Sequence, residues 1–121
     1  MVMKREERLQ SEIVQALREN GLTPVHIPNG SDNESARKLH GKLGVLIGIP
    51  DLLVLGDNNN VCFLEVKTEW GTLSEIQEYV HADLKVKGFD VYVVRSVIEA
   101  LDVCYESLRP LSPQEIERIT G

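Results

Sequence analysis

The chain has 121 residues, of which 42% are hydrophobic and 26% are charged. This length suits one compact domain, and the composition excludes a disordered or fibrous chain. The net charge of −6 argues against a protein that coats nucleic acid through bulk electrostatics. It does not exclude an enzyme that binds nucleic acid locally, through a metal and a small basic patch.

The sequence carries no sign of a membrane or secreted protein. No apolar run approaches the roughly 20 residues that a membrane span needs, so we expect no membrane partner. The first residues, MVMKREERLQ, are charged and lack the apolar segment of a secretory signal. Cys62 and Cys104 are isolated cysteines, a usage that favours free thiols in a reducing compartment. We therefore expect a cytoplasmic location.

The first part of the chain predicts a helix, a strand and a loop. An amphipathic helix is predicted over 4–20. The apolar positions of its buried stripe are Leu9, Ile13, Val14 and Leu17. A short strand is predicted at 25–27. Residues 31–42 are polar and basic, with little to bury, which predicts a mobile surface loop.

The second part predicts a hairpin followed by alternating helices and strands. Two β-rich runs, 52–55 and 61–66, flank the sequence GDNNN, a strong hairpin signal. Thr72 and Glu75 form a capping-box pattern that opens a helix ending near Gly88. The remaining predicted elements are a strand over 90–94, a helix after Ser96 and a helix beginning at Pro113. This order indicates an α/β single domain over 1–121, with a central mixed β-sheet flanked by helices.

The residues that carry chemistry lie on the hairpin. Glu65 and Lys67 are two apart on its second strand, so both side chains leave the same face. Asp51 opens the partner strand, at the same end of the sheet. Two carboxylates this close repel each other unless a cation lies between them, and Mg²⁺ binds one or two carboxylates with waters and substrate phosphate. A lysine beside such a site can polarise a water or stabilise charge on a phosphate.

The length of the hairpin loop decides whether Asp51 and Glu65 share a face. Directly opposed residues of an antiparallel pair point to the same side of the sheet. The two acids meet this condition only if the loop around Asn58 has an odd number of residues, or if a bulge corrects the phase. A regular two-residue turn at Asn58-Asn59 would turn Asp51 to the wrong face.

These motifs resemble a known family. Pro50-Asp51, a spacer of 13 residues and then Glu65-Val66-Lys67 are similar to the PD-(D/E)XK nuclease signature. The more specific resemblance is to the virus-type replication-repair nuclease (VRR-NUC) domain. Its Gly-x-Pro-Asp and Phe-x-Glu-Val-Lys strands are followed by a Ser-x-x-Gln helix and a Gly-Phe-x-Val-x-Val-Val strand. This chain supplies each motif in order, and the resemblance covers roughly 5–100.

The resemblance implies a restriction-endonuclease-like core and a role for each motif residue. Asp51 and Glu65, with the main-chain carbonyl of Val66, would bind Mg²⁺ or Mn²⁺. Lys67 would position or activate the attacking water, and Gln77 would point back toward the site.

Residues on the first helix are also implied in the site. Related resolvase-type nucleases carry an acid there, and alignment places Gln10 at that position. This is a departure from the pattern, although glutamine also occurs there in the family. Glu6 lies one turn earlier on the same face and could take its place.

Other polar residues keep two interpretations. His26 is either a packed strand residue or a ligand, and Trp70 either stacks on a base or sugar or packs at the rim of the core. His40 and His81 are expected at the surface. Three basic residues either contact DNA phosphates or are simply solvated, and they are Arg37, Lys38 and Lys42.

The sequence thus predicts a metal-dependent endonuclease. The resemblance implies hydrolysis of branched DNA, with four-way junctions or flaps as substrates, in a bacterial or phage-infected cell. Because a junction needs two matched cuts, we expect a homodimer. The alternatives are a flap-specific or restriction-type endonuclease on the same core, and an inactive module that binds nucleic acid or assembles with other proteins.

Overall fold

A four-stranded mixed sheet organises the fold, seen here in a computed structural model that describes residues 2–29, 34–108 and 113–121. In spatial order its strands are β1 (Thr23–His26), β2 (Leu52–Leu55), β3 (Val61–Val66) and β4 (Asp90–Val94). The β1–β2 and β2–β3 pairs are antiparallel, and β3–β4 is parallel. The predicted mixed sheet is therefore confirmed.

Helices cover both faces of this sheet. The helices of the described chain are α1 (Arg5–Glu19), α2 (Glu34–Lys42), α3 (Glu75–Val86), α4 (Val97–Leu108) and α5 (Pro113–Thr120), and those packed on the sheet are α1, α3 and α4. Helices α1 and α4 pack together on one face, while α3, the connection between the parallel strands, covers the other. Within the described ranges, no helix combines the length and apolar character that would let it cross a membrane.

The larger core lies between the sheet and helices α1 and α4. Ile13 and Leu17 of α1 are fully buried there, as the helical periodicity predicts. The side chains of Cys62 and Cys104 also lie in this core, with their Sγ atoms 3.9 Å apart, and both are free thiols. Alternate residues of β3 point to this face and form its apolar floor.

A smaller core lies under α3 and leaves one end of that face to polar groups. Phe63 packs with Val80, Leu84 and Val91, and its ring meets Phe89 edge-on at 5.6 Å. Two residues further along β3 the same face carries Glu65. The smaller core therefore supports a polar site at the carboxyl end of β3.

The segment predicted as a mobile loop over 31–42 is corrected in part, because 34–42 form helix α2. Its sequence, ESARKLHGK, is rich in strong helix formers, which are Glu, Ala, Arg, Lys and Leu. The loop prediction rested on the absence of a clear apolar stripe. Local propensity can still support a short helix whose side chains are exposed, as those of Lys38 and Leu39 are.

The start of α3 is also corrected. The capping box is formed by Ser74 and Gln77, two residues later than the predicted pair of Thr72 and Glu75. With this start, Val80 and Leu84 face the core, whereas Ile76 is 48% exposed.

Candidate active site

Asp51 and Glu65 lie opposite each other across the hairpin. Leu52 pairs with Leu64 in the β2–β3 register, so the next residue outward on each strand is one of the two acids. Both acids therefore point to the α3 face of the sheet. This register is the one that the shared site requires, and the prediction from strand parity is confirmed.

A bulge in the five-residue loop, residues 56–60, sets this register. Asn58 and Asn59 have positive φ angles of 57° and 66°, as in a type I′ turn, and the Asn60 N–H donates to the Asp57 carbonyl at 3.1 Å. The Gly56 N–H donates to the Asn60 carbonyl at 2.8 Å. Gly56 and Asp57 thus both lie opposite Asn60. This extra residue turns Asp51 to the face that carries Glu65, whereas a plain two-residue turn would turn it to the other face.

The Asp51 carboxylate is anchored to the backbone of β3. Its Oδ2 accepts a hydrogen bond from the Val66 N–H at 2.7 Å. The N–H and C=O of one strand residue point to the same side, so the Val66 carbonyl also points toward Asp51. On the other side of the strand, the Lys67 N–H donates to the Val94 carbonyl at 3.1 Å.

Glu65 is the most deeply buried carboxyl of the site. Its side chain is 1% exposed. Burial, together with the hydrogen bond and the charge of Asp51, raises the pKa of Glu65 to about 9, while the charge of Lys67 opposes the rise. Without a cation, this carboxyl is therefore protonated at neutral pH.

His81 is the site residue that the sequence interpretation missed. It was expected at the surface, but it is buried on α3, and its Nε2 lies 3.0 Å from Glu65 Oε1. Burial and the positive charges of Lys85 and Lys67 lower the pKa of His81. The available signal was helical spacing, because His81 lies four residues after Gln77 and three before the buried Leu84.

Lys67 completes the same face beyond Glu65. Its side chain is half-buried, and its charge acts on both Glu65 and His81 by lowering the pKa of each. A Cβ placed on Gly71 would lie 3.4 Å from Cβ and Cδ of Lys67, so the following turn packs against the lysine's aliphatic chain.

The donors at this site fit a small, hard divalent ion. Among the described residues, no group of three or more His, Cys, Asp or Glu side chains could hold a metal. Magnesium needs fewer protein ligands, because it retains several waters. The Asp51 and Glu65 carboxylates and the Val66 carbonyl form such an oxygen set, and an ion there would offset the repulsion that raises the pKa of Glu65.

Gln77 has its carbonyl oxygen committed to the helix cap. Its Oε1 accepts from the Ser74 N–H at 3.0 Å, while its own N–H donates to Ser74 Oγ at 3.2 Å. This leaves Nε2 as the polar group that can turn toward the site, and the catalytic role of Gln77 stays a prediction.

Both candidates on α1 lie near the site, in different ways. Glu6 is close enough for its charge to raise the pKa of Glu65. Gln10 Nε2 lies 3.1 Å from His26 Nδ1, which in turn lies 3.2 Å from the Asp51 carbonyl oxygen. His26 is exposed rather than packed, and it connects α1 to the strand end that carries Asp51.

The remaining candidates lie on exposed surfaces. Lys38 and Lys42 are exposed on α2, while the side chain of Arg37 and that of His40 fall outside the described part of the chain. Trp70 is 82% exposed, which excludes packing at the rim of the core.

The chain is similar to known proteins in sequence and in fold. The family model of the VRR-NUC domain matches residues 4–98. One solved structure, described as "VRR_NUC domain", has a TM-score of 0.62 and 24% identity, covering 86% of this chain and 97% of that chain. A second, described as "VRR_NUC domain protein", has a TM-score of 0.65 and 17% identity, covering 90% and 92%. At these identities the two structures establish the fold alone. No curated protein matches the sequence significantly.

Proposed function

Because the chain belongs to the VRR-NUC family of nuclease domains, we propose that it is a metal-dependent endonuclease that cuts branched DNA. The observation that carries the proposal is the pair of carboxyl groups, Asp51 and Glu65, opposed across the hairpin beside Lys67. One of these groups is buried with a strongly raised pKa, an arrangement that an isolated structural acid would not favour.

Each residue of the site has a distinct task in the proposed hydrolysis. Asp51, Glu65 and the Val66 carbonyl would hold Mg²⁺ or Mn²⁺, which supplies positive charge to polarise the scissile phosphate. Lys67 would hold the attacking water in line with the leaving oxygen and stabilise negative charge in the transition state. His81 fixes the orientation of the Glu65 carboxyl through its hydrogen bond. The product would carry a 5′-phosphate.

We further propose a four-way junction as the substrate and a homodimer as the active form. One chain holds a single set of Asp51, Glu65 and Lys67, which cuts one strand at a time. A two-fold dimer would supply the second, symmetric cut. A surface for such a dimer is available, because apolar side chains that precede β2 are exposed, namely those of Leu39, Leu43, Leu46 and Ile47. The free thiols are consistent with the proposed cytoplasm of a bacterial or phage-infected cell.

A cleavage panel tests this function. The substrates are a four-way junction, a flap, a duplex and a single strand, each with Mg²⁺, with Mn²⁺ or with a chelator. We expect paired nicks in the junction and no cleavage with the chelator. Glu65→Gln should abolish cleavage, and Lys67→Ala should remove most of it, whereas the exposed Glu12→Gln serves as a matched control with full activity.

Calorimetry separates the roles of these residues. Because Lys67 is not a ligand, Lys67→Ala should bind Mn²⁺ with nearly unchanged affinity, while Glu65→Gln should bind it much more weakly. An inactive binding module has no need of a metal, so a wild-type protein that binds DNA without binding Mn²⁺ would contradict the enzyme assignment. Cleavage of flaps alone would contradict only the choice of substrate.

A further inference from the structure

An exposed tryptophan lies immediately beside the proposed active site. Trp70 is the single tryptophan of the chain, and its side chain is 82% exposed. It follows Lys67 by three residues, in the turn that connects β3 to α3. The ring is largely uncovered by the described chain, so its aromatic face is available to a ligand bound at the neighbouring site.

The turn that carries Trp70 is held in place by a cation. The Gly71 N–H closes the turn by donating to the Thr68 carbonyl at 3.0 Å. Arg95 Nη1, from the residue after β4, donates to the Thr68 carbonyl at 2.8 Å and to the Gly71 carbonyl at 2.7 Å. Both acceptors are neutral carbonyl oxygens on either side of Trp70 in the sequence, so the guanidinium holds the two ends of the turn together. The turn is thus fixed before any ligand binds.

The same turn packs against the catalytic lysine. A Cβ on Gly71 would meet Cβ and Cδ of Lys67 at 3.4 Å, so the lysine chain and the turn lie in contact. Three residues of chain span at most about 10 Å. Because successive nucleotides of one strand rise about 3.4 Å along the axis of a duplex, Trp70 lies within a few nucleotides of a phosphate held at Lys67.

We propose that Trp70 stacks on a nucleobase face that the branch point of the bound DNA leaves exposed, next to the phosphate that is cut. The inference rests on the proposed nuclease function and adds the group that recognises the branch. Stacking requires an exposed base face, which a branch point or a flap presents and a continuous duplex does not. Glu69, exposed beside Trp70, disfavours a phosphate at that point, so Trp70 acts through its ring rather than through a basic patch.

The emission of Trp70 gives a direct test, because no other tryptophan contributes to the signal. Asp51→Asn protein with Mg²⁺ holds the DNA uncut while it is titrated with a labelled flap, a four-way junction and a duplex. We expect the tryptophan emission to be quenched by the branched substrates, saturating at the DNA concentration at which the anisotropy of the DNA label saturates.

Affinities of two variants complete the test. Trp70→Ala should bind the branched substrates roughly 5- to 100-fold more weakly, as expected for the loss of one stacked base. It should bind the duplex unchanged, and Trp70→Phe should recover most of the lost affinity. Tyr79→Ala is the matched control, because Tyr79 is a similarly exposed ring, 75% exposed on α3, and its loss should change nothing.

The outcomes separate this inference from the proposed function. If anisotropy and cleavage both show DNA engagement while Trp70 emission and the affinity of Trp70→Ala stay unchanged, stacking is overturned and the nuclease survives. An emission shift that follows protein concentration without DNA also overturns it, because a second copy of the chain then covers Trp70. A wild-type protein that neither binds nor cuts any substrate overturns the proposed function, and the stacking inference with it.

Discussion

Glu65 lies among neighbours that favour its protonated form. Burial and the nearby Asp51 raise its pKa from the usual 4.5 to about 9. Between these two values the native state holds a proton that the unfolded chain has released. The native state therefore loses stability as the pH rises through this interval, unless a cation takes the place of the proton.

This linkage predicts the effect of Glu65→Gln on the metal-free protein. The free energy of unfolding should rise by at least about 1 kcal/mol near pH 8, because one pKa unit corresponds to about 1.4 kcal/mol. The decline in wild-type stability between about pH 5 and about pH 8 should become much shallower. Urea unfolding at several pH values measures both effects, with the exposed Glu12→Gln as control. A variant with the same pH dependence as the wild type would contradict the buried protonation.

Asp51 has a structural role in addition to the metal-binding role proposed for it. Its Oδ2 accepts the hydrogen bond of the Val66 N–H, and Val66 is fully buried. Asp51→Ala leaves this donor without a partner, at a cost of about 1–3 kcal/mol, whereas the amide oxygen of Asp51→Asn can still accept the bond.

We therefore expect both variants to lose cleavage, but only Asp51→Ala to lose stability relative to Asp51→Asn. Relief of repulsion with Glu65 acts equally in the two, so it cancels in the comparison. Thermal unfolding without metal measures the difference. Equal stabilities would mean that the bond to Val66 contributes nothing.

At the scale of the elements, the sequence predicts those strands whose ends are defined by local residue patterns. The bounds of β2, β3 and β4 agree with the predicted strands, because apolar runs flanked by turn residues define them. Helix α2 was missed, since its residues favour a helix through propensity rather than through an apolar stripe. The role of His81 was missed because its partner, the Glu65 carboxyl, comes from another element, while helical spacing indicates only that His81 shares a face of α3 with Leu84.

The connection between α2 and β2 contains a glycine that the fold requires. Gly48 has a φ of +92°, and a Cβ there would lie 2.9 Å from the main-chain oxygen of Ile76 on α3. Three residues later the chain reaches Asp51, so the close approach at Gly48 helps to position that carboxylate against α3.

Gly48→Ala should destabilise the protein by about 2–5 kcal/mol, combining an unfavourable backbone conformation with overpacking. Gly44→Ala is the matched control, because Gly44 has a φ of +95° but no atom within 4 Å of the added Cβ. It should cost only about 1–2 kcal/mol. Chemical denaturation compares the two, and equal losses would show that contact with α3 is unimportant.

At the scale of the whole molecule, the apolar surface before β2 has no partner within the described chain. Leu46 is 50% exposed and Ile47 is 41% exposed. These residues precede the strand that carries Asp51, so a partner bound there would lie close to the site. The proposed dimer would bury this surface and bring two active sites under one symmetry axis.

Sedimentation at micromolar concentration should therefore show a dimer. Leu46→Asp should weaken it by roughly 30-fold or more, as expected when a buried anchor is lost from an interface. Ile98→Asp, at a position 73% exposed on α4, is the matched control and should leave the dimer intact. Leu46→Asp should make single nicks in a junction where the wild type makes paired ones. A wild-type monomer would contradict this model of resolution.

The bulge at Gly56 and Asp57 makes the active site sensitive to the count of residues in a solvent-exposed loop. Insertions and deletions in this loop should be tolerated when they change its length by an even number of residues, and not when they change it by an odd number. Removing or adding one residue would turn Asp51 into the apolar core under α1, whereas changes of two would restore its direction. Natural relatives and engineered variants should therefore vary this loop in even steps, or compensate an odd step with a second bulge.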